Sequence, residues 1–383
     1  MKYYLIAGEA SGDLHGANLM RALRQKDPQA EFRFWGGDNM AAIGGTPVRH
    51  IRDLAIMGFV EVLAHLRTVL GNIAFCKRDI AQWKPDVVVG IDYPGFNLKI
   101  EAWAHEQGFK TVHYISPNLW AWKKGRIKGM RRTLDRLCYI LPFEEEFFAE
   151  NDMPQAVYVG HPLLDMINEE CGKKGLNQPI QPSTQTRPII ALLPGSRRME
   201  LKNSLPLMVH LAAHHPEYQF VVAGMSLIGK EFYDTLIAKH SSNQTIKQSN
   251  NLTVVFDQTY SLLSQAHAAI VCSGTATLEA ALFNVPQVVC YSGNPISYLI
   301  AKAVVGNRIR YISLVNLIAD SPIVTELIQD DFNVERLERE FLLVAADDAN
   351  RERMLNEYAD MRTLLGSGGA SMRAAQTIID ILK

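Results

Sequence analysis

Two short segments in the second half of the chain carry residue types suited to binding a diphosphate. The first phosphate segment is Leu193 to Arg197 (LPGSR), and the second is Ser273 to Thr275 (SGT). Glycine lets the backbone approach a ligand, amides at a helix start attract an anion, and an arginine fork matches phosphate oxygens. Glu279, one turn further on, can accept hydrogen bonds from ribose hydroxyls. We expect a nucleotide donor to bind at Gly195, Ser196, Arg197, Ser273, Gly274, Thr275 and Glu279. The alternative is two capped helix starts with surface charges.

Two carboxylates in the first half are candidates for catalysis. Asp92 follows the apolar run Val87 to Ile91, and ligands of open α/β sheets bind where such strands end. We expect Asp92 to act as a general base that takes a proton from a sugar hydroxyl. The glycine-rich segment Gly8 to Gly16 (GEASGDLHG) adds Glu9 as a second catalytic candidate and Ser11 on the acceptor side. Its glycine spacing departs from the dinucleotide fingerprint, and it can equally be a tight turn with a capped helix.

A basic segment follows the fourth strand candidate. Trp120 and Trp122 lead into six cations within ten residues: Lys123, Lys124, Arg126, Lys128, Arg131 and Arg132. Such a cluster can hold a substrate phosphate or lie on an anionic lipid surface, with the indole rings at the interface. The alternative is a solvated helix face.

Residues Leu54 to Ile73 form an apolar segment. If this segment is helical, its apolar face is wider than that of a helix with one side in solvent. Met57, Phe59 and Val60 suit a pliable apolar site, and we assign them with the basic segment to binding the acceptor. Ordinary core packing is the alternative interpretation.

The elements that must position these residues have the pattern of an α/β protein. Short β-branched runs bounded by Gly, Pro or Asp alternate with amphipathic stretches, which indicates parallel sheets covered by helices. Strands are predicted at Tyr3–Ala7, Phe32–Trp35, Val87–Ile91, Thr111–Ile115, Arg136–Leu141, Ala156–Val159, Ile189–Leu193, Gln219–Ala223, Leu252–Val255, Ala268–Cys272 and Gln287–Cys290. Helices are predicted at Leu14–Lys26, Val60–Trp83, Ile100–Gln107, Phe143–Glu150, Lys202–His214, Tyr260–Gln265 and Ala276–Phe283.

The 383 residues are too many for one compact domain of ordinary size. Residues 171–188 lose the apolar periodicity and are rich in proline and glycine, as in a linker. We predict an acceptor and catalytic-base domain at 1–172, a nucleotide-sugar domain at 186–345, and a helical tail at 346–383 that packs back on the body.

Composition excludes several classes of function. Lys plus Arg number 39 and Asp plus Glu 40, so no global charge attracts nucleic acid. The five cysteines are scattered in apolar runs and are expected to be reduced core residues. No window is apolar for long enough to span a membrane, so we expect a cytoplasmic protein that at most rests on one. Neither HExxH nor a DxD pair occurs, so no metal or other cofactor is expected.

Seven motifs, taken in order, resemble those of the lipid A disaccharide synthase family. They are GEASGD at Gly8, AIMGFVEVL at Ala55, GIDYPGFN at Gly90, YISPNLWAW at Tyr114, GHPLLD at Gly160, LLPGSR at Leu192 and SGTATLE at Ser273. The resemblance implies a GT-B fold of two Rossmann-like domains, and inverting, metal-free transfer from UDP-2,3-diacylglucosamine to 2,3-diacylglucosamine 1-phosphate. The product is a β-1,6-linked disaccharide 1-phosphate, with UDP released.

The resemblance also assigns residues. It matches Asp92 to the family's essential aspartate, Arg197 to its diphosphate-binding arginine, Glu279 to its ribose-side glutamate and Asn316 to a nucleotide-side asparagine. Gly95 stands where many members carry a second acid, and Asn118 and Thr325 also differ from other members.

Two other functions share much of this pattern. A UDP-sugar 2-epimerase or hydrolase needs no lipid acceptor, and a non-catalytic sugar-nucleotide sensor binds UDP without turnover. For a lipid glycosyltransferase we expect the inner face of the inner membrane as a peripheral partner, and a homodimer is compatible with the sequence.

Overall fold

The chain folds into two α/β units, each built on a parallel β-sheet. A computed structural model describes residues 1–54, 66–121, 123–172, 187–240, 251–293 and 310–383. Unit 1 comprises Met1–Asp165 together with Ser367–Lys383, and unit 2 comprises Met166–Gly366.

Unit 1 is built on a seven-stranded parallel sheet in the order β3-β2-β1-β4-β5-β6-β7. The strands are β1 Lys2–Ala7, β2 Glu31–Gly36, β3 Thr46–His50, β4 Val87–Ile91, β5 Lys110–Tyr114, β6 Arg136–Tyr139 and β7 Ala156–Tyr158. The strand order reverses between β1 and β4, where Ala7 pairs with Ile91. Gly8 and Asp92 therefore leave the sheet side by side at its switch point.

Helices cover both faces of this sheet. They are α1 Ala10–Lys26, α2 Asp38–Ile43, α3 Leu66–Trp83, α4 Pro94–Glu106, α5 Ile127–Thr133, α6 Glu144–Glu150, the first turn of α7 Pro162–Gly172, and α15 Ala370–Asp380. On one face, Leu19 and Leu23 of α1 pack with Ile378 of α15 and Val89 of the sheet. On the other, Cys76 and Ile80 of α3 pack with Val88 and Trp35. The chain's last helix thus completes the first unit's core.

Unit 2 repeats the plan with six parallel strands in the order β10-β9-β8-β11-β12-β13. They are β8 Ile189–Leu193, β9 Gln219–Gly224, β10 Leu252–Phe256, β11 Ala268–Cys272, β12 Gln287–Tyr291 and β13 Thr325–Ile328. Its helices are α8 Arg198–His214, α9 Lys230–His240, α10 Thr259–Leu263, α11 Thr275–Leu282, α12 Leu314–Ala319, α13 Val334–Ala345 and α14 Asp348–Leu365. Leu193 pairs with Val271 at the switch point, so both phosphate segments follow neighbouring strands.

The predicted class of fold, with parallel sheets and a helical C-terminal tail, is confirmed. Two strands were not predicted from the sequence: β3 (TPVRH) and β13 (TELI). Both are edge strands, and their polar residues and proline are tolerated because an edge strand faces solvent or a loop on one side. Helix α1 begins at Ala10, four residues before the prediction, and α4 begins at Pro94, directly after Asp92 and Tyr93. The four described cysteines are free and buried.

Candidate functional site

Asp92 is held at the carboxyl edge of the unit 1 sheet in an unusual backbone conformation. Asp92 and Tyr93 both lie in the left-handed region, with φ of 47° and 51°. Ile115, which follows β5 on the neighbouring strand, has φ of 72°, a rare value for a β-branched residue. Left-handed backbone at such residues costs free energy and concentrates at functional sites. Three left-handed residues therefore lie at the sheet edge that carries Asp92.

Hydrogen bonds fix this conformation. The Asp92 amide donates to the Tyr114 carbonyl at 2.9 Å. The buried Asn97 side chain on α4 donates to the carbonyl oxygens of Asp92 at 2.7 Å and Ile6 at 3.1 Å. Asn97 thus ties the ends of β1 and β4 together, while the half-buried Asp92 carboxylate is left for chemistry. Asn97 belongs to the GIDYPGFN motif, but its residue type alone does not reveal this role.

A buried acid–base pair lies beneath the same edge. Glu101 Oε1 is 2.8 Å from His113 Nδ1, and neither side chain is exposed. Glu101 can lie there because residue 90 is glycine; a Cβ at that position would come within 2.0 Å of Oε1. Burial lowers the pKa of His113, and the charge of Arg126 lowers it a little further. The charge and hydrogen bond of Glu101 and the charge of Asp92 raise it. The raising effects prevail, so the pKa of His113 lies above its usual value. The sequence feature that could have revealed this pair is a histidine within the apolar strand TVHYI.

The glycine-rich segment places Glu9 and Ser11 at the surface near Asp92. Glu9 is the N-cap of α1, and its charge contributes, after burial, to raising the pKa of Tyr93. The Tyr93 ring lies against Gly8, where a Cβ would come within 2.4 Å of it. Ser11 is exposed in the first helical turn. The structure thus gathers Glu9, Tyr93 and Asp92 at one edge.

Asp13 in the same segment has a structural part. Its buried carboxylate accepts hydrogen bonds from the amides of Gly37 at 2.6 Å, Asn39 at 3.0 Å and Met40 at 3.1 Å. These are amides at the start of α2, so Asp13 caps that helix rather than its own.

Most cations of the basic segment are exposed to solvent, and contacts with aromatic rings hold the segment against unit 1. Trp120 meets Phe143 edge to face at 5.1 Å, and Lys124 lies 5.5 Å from the Phe147 ring. Arg131 pairs with Asp152 at 3.2 Å. Arg126 is half-buried, whereas Lys123, Lys124, Lys128, Arg131 and Arg132 are exposed. The predicted acceptor residues Met57, Phe59, Val60 and Trp122 lie outside the described residues.

The first phosphate segment in unit 2 already holds a carboxylate. Gly195 has φ of 107°, which favours glycine, and a Cβ there would come within 2.5 Å of Glu200 Oε2. Glu200 Oε2 accepts from the amides of Ser196 at 2.8 Å and Arg197 at 3.2 Å. The Arg197 side chain is 67% exposed and 3.4 Å from Glu200. The Arg197 guanidinium and the Ser196 hydroxyl can therefore bind a diphosphate. The backbone amides of Ser196 and Arg197 already donate to Glu200.

The second phosphate segment lies beside it. Gly274 and Thr275 are exposed at the start of α11, and the Ser273 hydroxyl donates to the Ile312 carbonyl at 3.1 Å. Glu279 is half-buried and accepts from the Tyr260 hydroxyl at 3.1 Å. Burial raises the pKa of Glu279, against the lowering effect of that hydrogen bond.

Asn316 is almost fully buried, and its amide is engaged within the protein. Its Nδ2 donates to the Val324 carbonyl at 2.9 Å and to Glu326 at 3.0 Å, and its Oδ1 accepts from the Val324 amide at 2.9 Å. Glu326 also accepts from the amides of Ile312 and Ser313, both at 2.9 Å. Asn316 is thus joined through Glu326 and Ile312 to Ser273. Sequence reasoning missed Glu326, whose only signal is a carboxylate within a short strand.

Within the described ranges, no three His, Cys, Asp or Glu side chains are grouped as metal ligands. None of the helices described is both long and apolar enough to cross a bilayer.

Two α/β units, each built on a parallel sheet with ligand-binding residue types at its switch point, have the architecture of the GT-B fold. Residues 3–378 match the family described as lipid-A-disaccharide synthetase, and the chain belongs to that family. The lipid-A-disaccharide synthase of Chromohalobacter salexigens is 36% identical over 99% of this chain and 96% of its own length. That of Acidobacterium capsulatum is 38% identical over 98% and 94%.

Solved structures agree on the fold. The UDP-GlcNAc 2-epimerase of Neisseria meningitidis, bound to UDP-GlcNAc, has a TM-score of 0.68 at 14% identity, covering 99% of this chain and all of its own. The glycosyltransferase of kitacinnamycin has a TM-score of 0.65 at 16% identity, covering all of this chain and 98% of its own. At such identities the likeness shows fold alone, so the epimerase alternative reflects fold similarity only. The family settles the activity as lipid A disaccharide synthesis.

Proposed function

We propose that the chain transfers 2,3-diacylglucosamine from UDP-2,3-diacylglucosamine to 2,3-diacylglucosamine 1-phosphate without a metal ion. Unit 2 holds the donor, and unit 1 supplies the base and binds the acceptor. The observation that carries this assignment is the placement of Asp92, strained and pinned by Asn97, at the switch point of the unit 1 sheet.

The transfer is a single displacement. The Asp92 carboxylate takes the proton of the acceptor 6-hydroxyl as its oxygen forms a bond to the anomeric carbon of the donor. The bond from that carbon to the diphosphate breaks with inversion, and the electron pair leaves with UDP. The Arg197 guanidinium and the amides at Gly274 and Thr275 stabilise the charge that develops on the diphosphate. Burial raises the pKa of Tyr93, and the nearby charge of Glu9 raises it further; we assign Glu9 to orienting the acceptor.

Ribose recognition falls to Glu279. The Tyr260 hydroxyl fixes one carboxylate oxygen, which leaves the other to accept from a ribose hydroxyl. Asn316 supports the second phosphate segment through Glu326, which makes it a positioning residue in this proposal.

The acceptor's phosphate and acyl chains are assigned to the basic segment and the apolar segment. Five of the six cations are exposed, and each can attract a phosphate or an anionic headgroup. Peripheral attachment to the cytosolic face of the inner membrane would bring both lipid substrates within reach.

UDP release from UDP-2,3-diacylglucosamine in detergent micelles with EDTA tests the proposal. We expect release only when the acceptor is added, and Asp92→Asn to lower turnover by roughly 10²- to 10⁴-fold. UDP affinity, measured by titration calorimetry, should be unchanged because Asp92 lies in unit 1. Asp320→Asn is the control, since Asp320 is also an aspartate with left-handed backbone, φ 48°, and lies in unit 2.

Three outcomes would contradict parts of the proposal. Near-normal turnover of Asp92→Asn would remove its role as base. Loss of activity in EDTA that a divalent cation restores would remove the metal-free mechanism. Release of UDP without acceptor would favour a hydrolase.

A further inference from the structure

Unit 2 contains a pocket that the proposed transfer does not use. It has a volume of about 700 Å³ and lies between the start of α8 and one side of α9, together with the loop before α9. None of the residues assigned to the donor lines it. Its walls include Arg198, Lys202, Ile228, Phe232, Leu236 and Lys239. We call it the cationic pocket.

The charge of the cationic pocket is positive. Arg198, Lys202, Lys230 and Lys239 line it against a single acid, Glu231, and Lys230 is balanced by Asp234 at 2.5 Å. Across the described ranges, Lys202 and Lys239 form no ion pair within 4.0 Å. The pocket therefore presents uncompensated cations to solvent.

Arg198 is held in place over an apolar floor. Its Nη2 donates to the Ile228 carbonyl at 3.3 Å, and its guanidinium lies 5.2 Å from the centre of the Phe232 ring. Ile228 is buried, and Phe232 and Leu236 are half-buried. A ligand of this pocket thus meets positive charge at the mouth and apolar carbon below it.

Two large apolar side chains that adjoin the pocket residues Ile228 and Arg198 in the sequence are turned to solvent. Leu227 is 90% exposed and Met199 is 65% exposed. A water-soluble anion gains nothing from apolar side chains at such exposure, whereas a bilayer buries them among acyl chains while its phosphates meet lysine and arginine. Charge and exposed apolar surface together select an anionic lipid surface over a free phosphate.

We propose that the cationic pocket, with Leu227 and Met199, is a docking site for an anionic phospholipid bilayer. Lipid phosphate groups bind at Arg198, Lys202 and Lys239, and the two apolar side chains enter the acyl region. This site is in unit 2, so it is separate from the basic segment and does not depend on the role proposed for that segment.

Flotation of the full chain with vesicles of phosphatidylcholine, with and without phosphatidylglycerol, tests the charge. We expect Lys202→Glu with Lys239→Glu to weaken binding to the phosphatidylglycerol vesicles by about tenfold or more. Lys84→Glu with Lys383→Glu is the control, because it changes net charge equally at exposed lysines outside the pocket. Equal loss in both double variants would overturn the proposal.

A fluorophore at residue 227 tests whether Leu227 enters the acyl region of the bilayer. Leu227→Cys in a Cys171→Ser background accepts nitrobenzoxadiazole, since the other four cysteines are buried. Its emission should rise and shift to the blue on phosphatidylglycerol vesicles, whereas the label at Leu364→Cys, a leucine 52% exposed, should not respond. An unchanged spectrum at position 227 on vesicles that bind the protein would overturn the proposal. Neither measurement uses substrate, so UDP release by the unaltered chain in micelles tests the proposed function separately.

Discussion

The buried pair beneath Asp92 predicts a stability effect confined to unit 1. Replacing His113 with leucine leaves Glu101 as a buried carboxylate without its partner. Breaking one side of a buried ion pair costs about 3–5 kcal/mol. In the described part of the chain, Oε2 of Glu101 and Nε2 of His113 have no hydrogen-bond partner, so the pair depends on its one 2.8 Å contact. We therefore expect a cost of about 3 kcal/mol, at the lower end of that range.

Replacing both partners with apolar residues should be far less damaging. Glu101→Met with His113→Leu removes both charges and fills similar volume, a change that is often neutral. The double variant should therefore lie within about 1 kcal/mol of the wild type, with a coupling free energy of about 2 kcal/mol or more.

The pH dependence has a defined sign. Because the folded pKa of His113 is raised, the pair stabilises fully below the unfolded value of about 6.5, and this contribution is lost as pH rises through the folded pKa. Glu101→Met should consequently cost more at pH 6 than at pH 9.

Tryptophan fluorescence in urea isolates the unit concerned. All five tryptophans, Trp35, Trp83, Trp103, Trp120 and Trp122, fall within the sequence of unit 1. The midpoint and slope of their transition give the free energy of unfolding of that unit. Single costs below about 1 kcal/mol, or a double variant as unstable as the two singles added, would refute the ion pair.

Three further predictions use the same measurement. Gly8→Ala should destabilise unit 1 by about 1–3 kcal/mol, because its Cβ meets the Tyr93 ring, and Tyr93→Ala should relieve most of that cost; equal cost in both backgrounds would contradict it. Burial raises the pKa of Glu144 to about 8, so its ionisation destabilises unit 1 as pH rises from about 4.5 to 8. Glu144→Gln should then be more stable than wild type at pH 8.5 by about 2 kcal/mol and not at pH 5. Burial, then the charge of His15, lowers the pKa of His161 to about 3, so unit 1 loses stability as pH falls from about 6.5 toward 3. His161→Asn should lose about 1 kcal/mol less than wild type between pH 7 and pH 5; parallel losses would refute this.

The sequence predicts the parallel sheets well because buried parallel strands are continuous apolar runs. VVVGI at β4 and AAIVC at β11 have no other plausible place than a covered sheet. The edge strands β3 and β13 break this rule, since an edge need not be apolar on both faces. The start of α4 was missed because Pro94 and Gly95 suggest a turn, although proline is well suited to the first helical position.

The site was only partly predictable, because types of residue reveal chemistry and not hydrogen-bond partners. Arg197 and Asp92 could be chosen from charge and strand ends. That Glu200 would occupy the amides of the first phosphate segment could not, although its place at the third helical position is typical of a capping box.

The residues that position the site share one sequence feature. His113 interrupts an apolar strand, Asn97 is fully buried on the inner face of α4, and Glu326 lies within the short strand β13. A polar side chain at such a place is costly unless its hydrogen bonds are made. Asn97 bonds the backbone that carries Asp92, and Glu326 bonds the backbone that leads to Ser273 through Ile312. Each unit therefore uses a hydrogen-bonded polar residue behind the reactive edge, buried Asn97 in unit 1 and half-buried Glu326 in unit 2, to hold the backbone of that edge in place. Substitutions at these residues should alter turnover through geometry, which the conservative change Asn97→Asp tests: it keeps the size but removes the donor, and so should lower turnover without altering UDP affinity.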